Sequence, residues 1–258
     1  MRAGRLGVAA AAVVVVTALV ALVPQVVPAA TPPSCTAAAG VAWATRSAVR
    51  LGTPLSFHVA IANSAAESCA LFLGASSPLF EVRDAAGATV WNSTYVAGRP
   101  APIPLFVYQR LLAPGAIYQA QARWDQRTPR GPAPAGAYRL VVLTSGAPRT
   151  TAGLDLGAAS GPPAVVLGTP GTLPATARSG ARVVILAAGG LWVYSSPVVT
   201  GALAPAVRRG GRSLVVLARA TRPGVGIVTT AASPVCYPRC LLASRLLRWV
   251  VRVVPQSP

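Results

Sequence analysis

Between residues 79 and 142 the chain alternates short apolar runs with turn residues, and this order limits the fold more than any other feature. Two of the runs end in tryptophans, Trp91 and Trp124, and the pair Pro114 and Gly115 supplies a turn between them. Short alternating runs bounded by glycine and proline are typical of antiparallel β-strands. The region therefore predicts an antiparallel β-sandwich.

Eight residues of this region are expected to shape the sandwich: Trp91, Pro114, Gly115, Trp124, Asp125, Gln126, Gly136 and Tyr138. Each tryptophan ends a strand, where its ring can enter the core. A fixed φ at proline followed by the permissive backbone of glycine fits a type II turn. The hydroxyl of Tyr138 can bond to backbone as in a tyrosine corner, and Asp125 fits a turn cap better than a catalytic acid.

The rest of the chain divides by composition. Residues 34–145 hold seven predicted strands, which fits an immunoglobulin-like sandwich. Residues 146–177 are rich in proline and glycine and predict an extended, loosely ordered linker. Residues 178–258 predict a second, smaller immunoglobulin-like β domain. The predicted strands lie near residues 39–43, 55–63, 69–73, 79–83, 89–91, 117–124 and 137–143, and then 182–186, 191–194, 213–219, 226–230 and 248–254.

Residues 1–33 predict an export signal or membrane anchor followed by a short spacer. Arg2 and Arg5 precede residues 6–23, an apolar run without a charge. The basic flank keeps the start of the chain on the cytoplasmic side and directs the remainder outward. The length of the run favours an uncleaved membrane span, and secretion after cleavage near residue 30 is the alternative. The predicted fold class is all-β, with two antiparallel sandwiches after an N-terminal apolar helix.

The chain contains four cysteines, which in an exported protein favour disulfides over metal ligands. Sequential pairing, Cys35 with Cys69 and Cys236 with Cys240, is the simplest of three connectivities. A Cys-x3-Cys pair without a neighbouring histidine or second cysteine pair is weak evidence for zinc. No metal site and no cofactor are therefore expected.

All 23 basic residues are arginine, and the formal net charge is +18. A GC-rich genome would produce this composition without any selection for charge. The alternative is a surface drawn to anionic polymers of the cell envelope. Nucleic acid is not expected as a partner, because the arginines are scattered singly except at Arg208 and Arg209 and are not interleaved with aromatic residues.

Candidate catalytic residues are few. His58 is the single histidine and lies within an alternating apolar strand. The acidic residues are dispersed along the chain: Glu67, Glu81, Asp84, Asp125 and Asp155. No phosphate loop, dinucleotide fingerprint or zinc-peptidase motif occurs. The sequence therefore predicts a protein that is not an enzyme.

The first predicted domain resembles the intracellular proteinase inhibitor (BsuPI) family. The resemblance is carried by FEVRD at 80–84 with Gly87, VW at 90–91, LAPG at 112–115, WDQ at 124–126 and PAGAY at 134–138. It covers residues 51–142, about a third of the chain. The family resemblance implies an immunoglobulin-like fold and inhibition of a serine protease.

The second predicted domain is similar, more loosely, to exported bacterial immunoglobulin-like modules of the chagasin type. Residues 218–229 fit a strand, a Pro-Gly turn and a strand, and residues 248–254 fit a terminal strand. Chagasin-type inhibitors insert an Asn-Pro-Thr-Thr-Gly loop into a protease cleft, whereas this chain has AAGGLW at 187–192. The resemblance therefore implies the fold and not the inhibition.

These observations predict a non-enzymatic, exported and membrane-anchored binding module, whose partner is a protein or a component of the cell envelope. The alternative is a protease inhibitor that acts through an exposed loop at residues 97–109, where three prolines favour an extended conformation. A further alternative is adhesion of the arginine-rich surface to anionic envelope polymers, which would weaken as salt is added.

Overall fold

The computed structural model describes residues 31–74, 76–96, 99–101, 106–157, 159–171, 173–236 and 242–256. Within these residues the chain is all-β, as predicted, and its one helical element is a 3-10 turn at Cys35–Ala37. None of the helical structure in the described ranges is long and apolar enough to cross a membrane. The predicted N-terminal helix at residues 6–23 lies outside the described residues.

The strands of the first half are β1 (Ala39–Ala44), β2 (Ala48–Arg50), β3 (Leu55–Ala62), β4 (Cys69–Gly74), β5 (Leu79–Arg83), β6 (Thr89–Asn92), β7 (Tyr95–Val96), β8 (Arg99–Pro100), β9 (Val107–Leu112), β10 (Ile117–Trp124), β11 (Arg127–Thr128), β12 (Gly131–Pro132), β13 (Gly136–Leu143) and β14 (Thr150–Gly157). The strands of the second half are β15 (Val165–Leu167), β16 (Ala175–Arg178), β17 (Arg182–Ala188), β18 (Trp192–Tyr194), β19 (Val198–Gly201), β20 (Leu203–Arg209), β21 (Ser213–Ala220), β22 (Gly224–Pro234) and β23 (Arg245–Val254). Each strand predicted from the sequence overlaps one of these.

Two sheets enclose the first core. One has the strand order β1-β3-β10, and the other has the order β2-β14-β13-β5-β6. Alternate residues of β13, namely Tyr138, Leu140 and Val142, enter this core together with Phe57 and Ile61 of β3. The alternation follows from the two-residue repeat of a strand, which sends successive side chains to opposite faces. The first half is therefore a sandwich of two sheets.

Strands β4 and β9 form a separate two-stranded sheet beside this sandwich. Cys35 and Cys69 are joined by a disulfide with their Cα atoms 4.9 Å apart, which confirms the predicted bridge. The bond ties the 3-10 turn to the start of β4. Cys236 is also disulfide-bonded, and its predicted partner Cys240 lies outside the described residues.

A second pair of sheets forms the other half. One has the order β15-β17-β21-β20, and the other has the order β16-β23-β22-β18, with β19 also paired to β22. Ile185 and Val216 of the first sheet pack with Trp249 and Val251 of the second. The indole N–H of Trp249 donates to the carbonyl of Gly168 (2.8 Å), so the ring also fixes the segment between β15 and β16.

A third core joins the two halves. Val41 and Trp43 of β1 pack with Val184 of β17 and Val215 of β21. These side chains lie on the faces of their sheets that point away from the first and second cores. Strands β17 and β21 are buried along most of their length on both faces. Residues Pro32–Pro258 accordingly form one compact unit.

The predicted linker at residues 146–177 is wrong, because this segment contains three strands. Thr150–Gly157 is β14, which pairs antiparallel with β13 and parallel with β2 and so belongs to the first sandwich. Leu154 and Leu156 of this strand are buried in the first core. β15 and β16 form parallel edge strands beside β17 and β23. Glycine, threonine and proline gave the segment a linker-like composition, although its apolar residues alternate at the spacing of a strand.

Candidate functional site

The residues of the predicted tryptophan and tyrosine motif lie in the first core. Trp91 and Trp124 have ring centroids 6.1 Å apart, and Tyr138 meets Trp124 edge-on at 6.0 Å. The Tyr138 hydroxyl donates to the carbonyl of Pro134 (2.8 Å), which is the geometry of a tyrosine corner. Burial, with a smaller contribution from Asp84, raises the pKa of Tyr138 and keeps this donor protonated. These aromatic residues therefore support the fold of the first sandwich.

The WDQ segment at residues 124–126 forms a bend, and Gln126 of this bend hydrogen-bonds to the turn at residues 50–53. Asp125 Oδ1 accepts a hydrogen bond from the Arg127 amide (3.0 Å), so its carboxylate acts as a turn cap. Gln126 is buried and has a φ of 61°, a conformation that few residues other than glycine adopt. Its side chain donates to the carbonyls of Arg50 (3.0 Å) and Thr53 (2.5 Å) and accepts from the amide N–H of Gly52 (2.8 Å). This role of Gln126 cannot be read from the local sequence, because the turn at residues 50–53 is distant in the chain.

Pro114 and Gly115 form the predicted turn. Gly115 has a φ of +80°, and the amide of Ala116 donates to the carbonyl of Ala113 (3.0 Å), as a type II turn requires. Gly136, with a φ of +151°, opens β13. Both glycines therefore occupy backbone conformations that side chains resist.

His58 is a packing residue. Its ring stacks on Trp43, with centroids 5.3 Å apart and planes 13° apart. Burial lowers the pKa of His58, so the imidazole is neutral at pH 7. Among the described residues, no hydrogen bond joins this ring to a serine or a carboxylate. The described residues around His58 therefore do not have the arrangement of a catalytic triad, in which the histidine is hydrogen-bonded to a serine and to a carboxylate.

The neighbouring acidic side chains of Glu81 and Asp84 are engaged in local structure. Glu81 pairs with Arg83 on the same strand (2.6 Å), and Asp84 Oδ1 accepts from the amide of Ala88 (2.9 Å) in the following turn. These contacts leave Glu81 and Asp84 in separate roles, although they are only three residues apart. No cluster of three or more potential metal ligands occurs in the part of the chain that the structure describes.

Strand β9 is the most exposed apolar element in the first half. Val107 is 75% exposed and Leu111 is 58% exposed, although both belong to a hydrogen-bonded strand. Phe106 and Tyr108 stack on each other at 6.3 Å and are also about half exposed. The guanidinium of Arg110 lies over the ring of Tyr118 at 5.2 Å. Arg110 is two residues from Tyr108 and so lies on the same face of β9. Of the predicted loop at residues 97–109, positions 97, 98 and 102–105 lie outside the described residues.

The hydrogen bonds of β4 reveal which backbone groups of β9 are directed outward. Ala70 and Phe72 of β4 donate away from β9, to the carbonyls of Pro33 (2.8 Å) and Ser145 (3.0 Å). In an antiparallel pair, residues that bond to the partner strand alternate with residues whose N–H and C=O groups point away from it. Leu71 lies between Ala70 and Phe72, so Leu71 and its partner Arg110 bond across the two strands. The residues of β9 that face β4 are therefore Tyr108, Arg110 and Leu112, and those whose N–H and C=O groups face away are Val107, Gln109 and Leu111.

Strand β9 thus combines a free backbone edge with exposed apolar side chains. Within the described ranges it pairs with β4 alone. Natural proteins usually protect such edges with charges, prolines or a covering element, because an open edge is a template for another strand. Here the three prolines precede the strand, and the strand itself contains none.

Comparison with protein-family models and with curated proteins gives no match. Several solved structures are weakly similar. They include amebosin (19% identity over 36% of this chain and 99% of that one, TM-score 0.23) and native Escherichia coli alpha-2-macroglobulin (11% identity, 84% and 17%, TM-score 0.25). A beta-glucosidase from Listeria innocua in complex with gluconolactone is also similar (13% identity, 46% and 16%, TM-score 0.28). The chain spans less than a fifth of the length of the macroglobulin and the glucosidase. Similarity at this level carries no functional argument.

Proposed function

We propose that this protein is a non-enzymatic, exported binding module built from two immunoglobulin-like sandwiches, the first resembling the BsuPI family. It binds an extended segment of another protein along the free edge of β9. The observation that carries the proposal is the outward-facing backbone of Val107, Gln109 and Leu111 on a strand whose side chains are exposed. Residues 6–23 anchor the module to the membrane in this proposal.

Strand addition explains why the edge is both open and apolar. The added strand gains backbone hydrogen bonds from the edge, and alternate side chains give specificity. Val107 and Leu111 lie two residues to either side of Gln109, so they share one face of β9 and could contact alternate residues of the partner. Arg110 and the net charge of +18 favour a partner segment with acidic side chains.

Inhibition of a protease is the second candidate. The segment that leads into β9 contains Pro100, Pro102 and Pro104, and β9 itself is extended. Proline lowers the entropy that a loop loses on binding. A protease cleft could then hold the segment at residues 97–109 in place of a substrate, as the family resemblance implies.

A substitution that removes one outward N–H tests the first candidate. Gln109→Pro deletes the central outward donor of β9 and leaves the residues that bond to β4 unchanged, since proline is tolerated at strand edges. Gln109→Ala is the matched control, because it removes the side chain and keeps the N–H. The assay selects binders from a library of random 12-residue peptides displayed against the full-length chain.

We expect the selected peptides to bind the wild-type chain and Gln109→Ala with similar affinity and Gln109→Pro at least tenfold more weakly. Equal binding to all three chains would contradict recognition through the edge of β9. Titration of the wild-type chain into a panel of serine proteases tests the second candidate separately. Stoichiometric inhibition that Gln109→Pro abolishes would favour the inhibitor over the general binding module.

A further inference from the structure

A cleft of about 480 Å³ opens where the two sandwiches meet. Its walls come from β14 on one side and from β17 and β21 on the other. The residues of β17 and β21 that face the first sandwich form the third core through Val184 and Val215. Arg182 and Arg219 occupy the same faces further along these strands and line the cleft. At the edge of the junction the apolar side chains are therefore replaced by two positively charged ones, Arg182 and Arg219.

Arg182 and Arg219 are direct partners in the antiparallel register of β17 and β21. Like charges in this position destabilise a sheet. Burial, followed by the proximity of Arg219, lowers the pKa of Arg182, while Asp155 opposes the shift. Asp155 is one negative charge beside two positive ones, so an additional anion next to the arginine pair would be stabilised.

The hydrogen bonds of Arg182 are incomplete. Its Nη2 donates to the carbonyl of Gly153 on β14, which fixes the guanidinium across the junction. Its Nη1 is buried and has no hydrogen-bond partner among the described residues. A buried donor of a charged group that lacks an acceptor is costly, and a planar guanidinium is suited to two oxygens of one carboxylate. The side chain of Arg219 is exposed and can donate to a ligand in the cleft. A bound oxyanion beside Arg182 and Arg219 would balance the like charges of the pair.

The charge and the walls of the cleft restrict the chemical class of ligand that it can bind. Arg182 and Arg219 carry two positive charges and Asp155 one negative charge, so the lining has a net charge of +1. Most of the other lining residues are apolar, among them Ala137 and Leu217. We propose that this cleft is a binding site for a small organic carboxylate with one negative charge and an apolar body, held by Arg182 and Arg219. The site is independent of the edge of β9.

Benzoate and its neutral analogue benzamide provide the probe. The full-length chain is titrated with each, and binding is followed by calorimetry and by the NMR signals of the arginine Nε–H groups. We expect benzoate to bind saturably and to shift the signals of Arg182 and Arg219, whereas benzamide has no effect. Inorganic phosphate is titrated in parallel and is expected not to bind saturably, because it cannot use the apolar walls.

Arg219→Gln is the test variant, and Arg222→Gln is the control, because Arg222 is exposed and does not line the cleft. We expect benzoate affinity to fall at least tenfold in Arg219→Gln and to stay within twofold in Arg222→Gln. Arg182→Gln provides a second variant with the same expected loss, and circular dichroism checks that each variant folds. Absence of benzoate binding to the wild-type chain, equal binding to Arg219→Gln, or saturable binding of phosphate alone would overturn the assignment.

Discussion

The amide of Gly189 donates a hydrogen bond to the carbonyl of Gly115 (3.3 Å) and so joins a turn of the first sandwich to a loop of the second. Gly115 lies in the Pro-Gly turn before β10, and Gly189 follows β17. A Cβ atom on Gly115 would lie 2.5 Å from the carbonyl oxygen of Arg212, which is also in the second half. The turn is therefore shaped by the contact between the halves as well as by its own hydrogen bond.

Gly115→Ala should destabilise the protein through two effects, and Gly87→Ala separates them. Gly87 has a similar φ of +86°, but nothing lies within 4 Å of its potential Cβ. We expect Gly87→Ala to cost about 1–2 kcal/mol, from the strained backbone alone. Gly115→Ala should cost about 1–3 kcal/mol more, because the backbone of Arg212 must move. Urea denaturation measures both, and equal losses would show that the junction contributes nothing at Gly115.

Trp124→Ala should remove much of the stability of the first sandwich. The ring is fully buried, lies against Phe57, Trp91 and Tyr138, and donates through Nε1 to the carbonyl of Arg127 (2.9 Å). Emptying such a site costs roughly 3–5 kcal/mol. Leu191→Ala, at a side chain that is 70% exposed, is the control and should change the unfolding free energy by less than about 0.5 kcal/mol. A melting temperature unchanged by Trp124→Ala would place the core elsewhere.

Local pattern was sufficient to predict about half of the strands in the described residues, because alternation and turn residues act over a few neighbours. Strand β9 is among those that it did not predict. Local pattern predicts a linker at residues 146–177, because small residues and prolines give the region around β14 a linker-like composition. The sequence does contain a signal for the junction, because residues 182–188 are almost continuously apolar and lack the alternation of a half-buried strand. A continuous run indicates burial on both faces, which a strand at the surface of an isolated sandwich would not have.

The candidate sites depend on pairing between distant parts of the chain. The outward edge of β9 follows from its register with β4, and the residues between them give no indication of that register. Arg182 and Arg219 become neighbours only because β17 pairs with β21. Periodicity assigns each arginine to a face of its strand, but it cannot tell which residue lies opposite. The even number of cysteines and the predicted export signal favour disulfides from the sequence alone, but the pairing of Cys35 with Cys69 was only the simplest of three connectivities.

Replacing both Cys35 and Cys69 with alanine should lower the unfolding free energy by about 3–4 kcal/mol. The bond closes a loop with a sequence separation of 34 residues, and loss of the bond restores the conformational freedom of that loop in the unfolded chain. Thr36→Ala with Ser68→Ala is a control at exposed neighbouring positions and should have little effect. Urea denaturation under oxidising conditions measures the difference. Coincident curves for the wild-type chain and the chain without Cys35 and Cys69 would show that the bridge is not a source of stability.

Protonation of His58 should lower the free energy of unfolding as the pH becomes acidic. Burial lowers its pKa below the unfolded value of 6.5, so the unfolded chain binds a proton more readily than the folded chain. Stability is therefore greatest above pH 6.5 and falls as the pH drops through that value toward the folded pKa.

His58→Phe retains an aromatic ring beside Trp43 and removes the titrating group, and His58 is the single histidine of the chain. Unfolding free energies measured between pH 7.5 and pH 5 (~0.5-unit steps) should slope downward on acidification in the wild-type chain and be flatter in His58→Phe. A steeper slope in the variant, or a wild-type chain that gains stability in acid, would show that the ring is charged in the folded state.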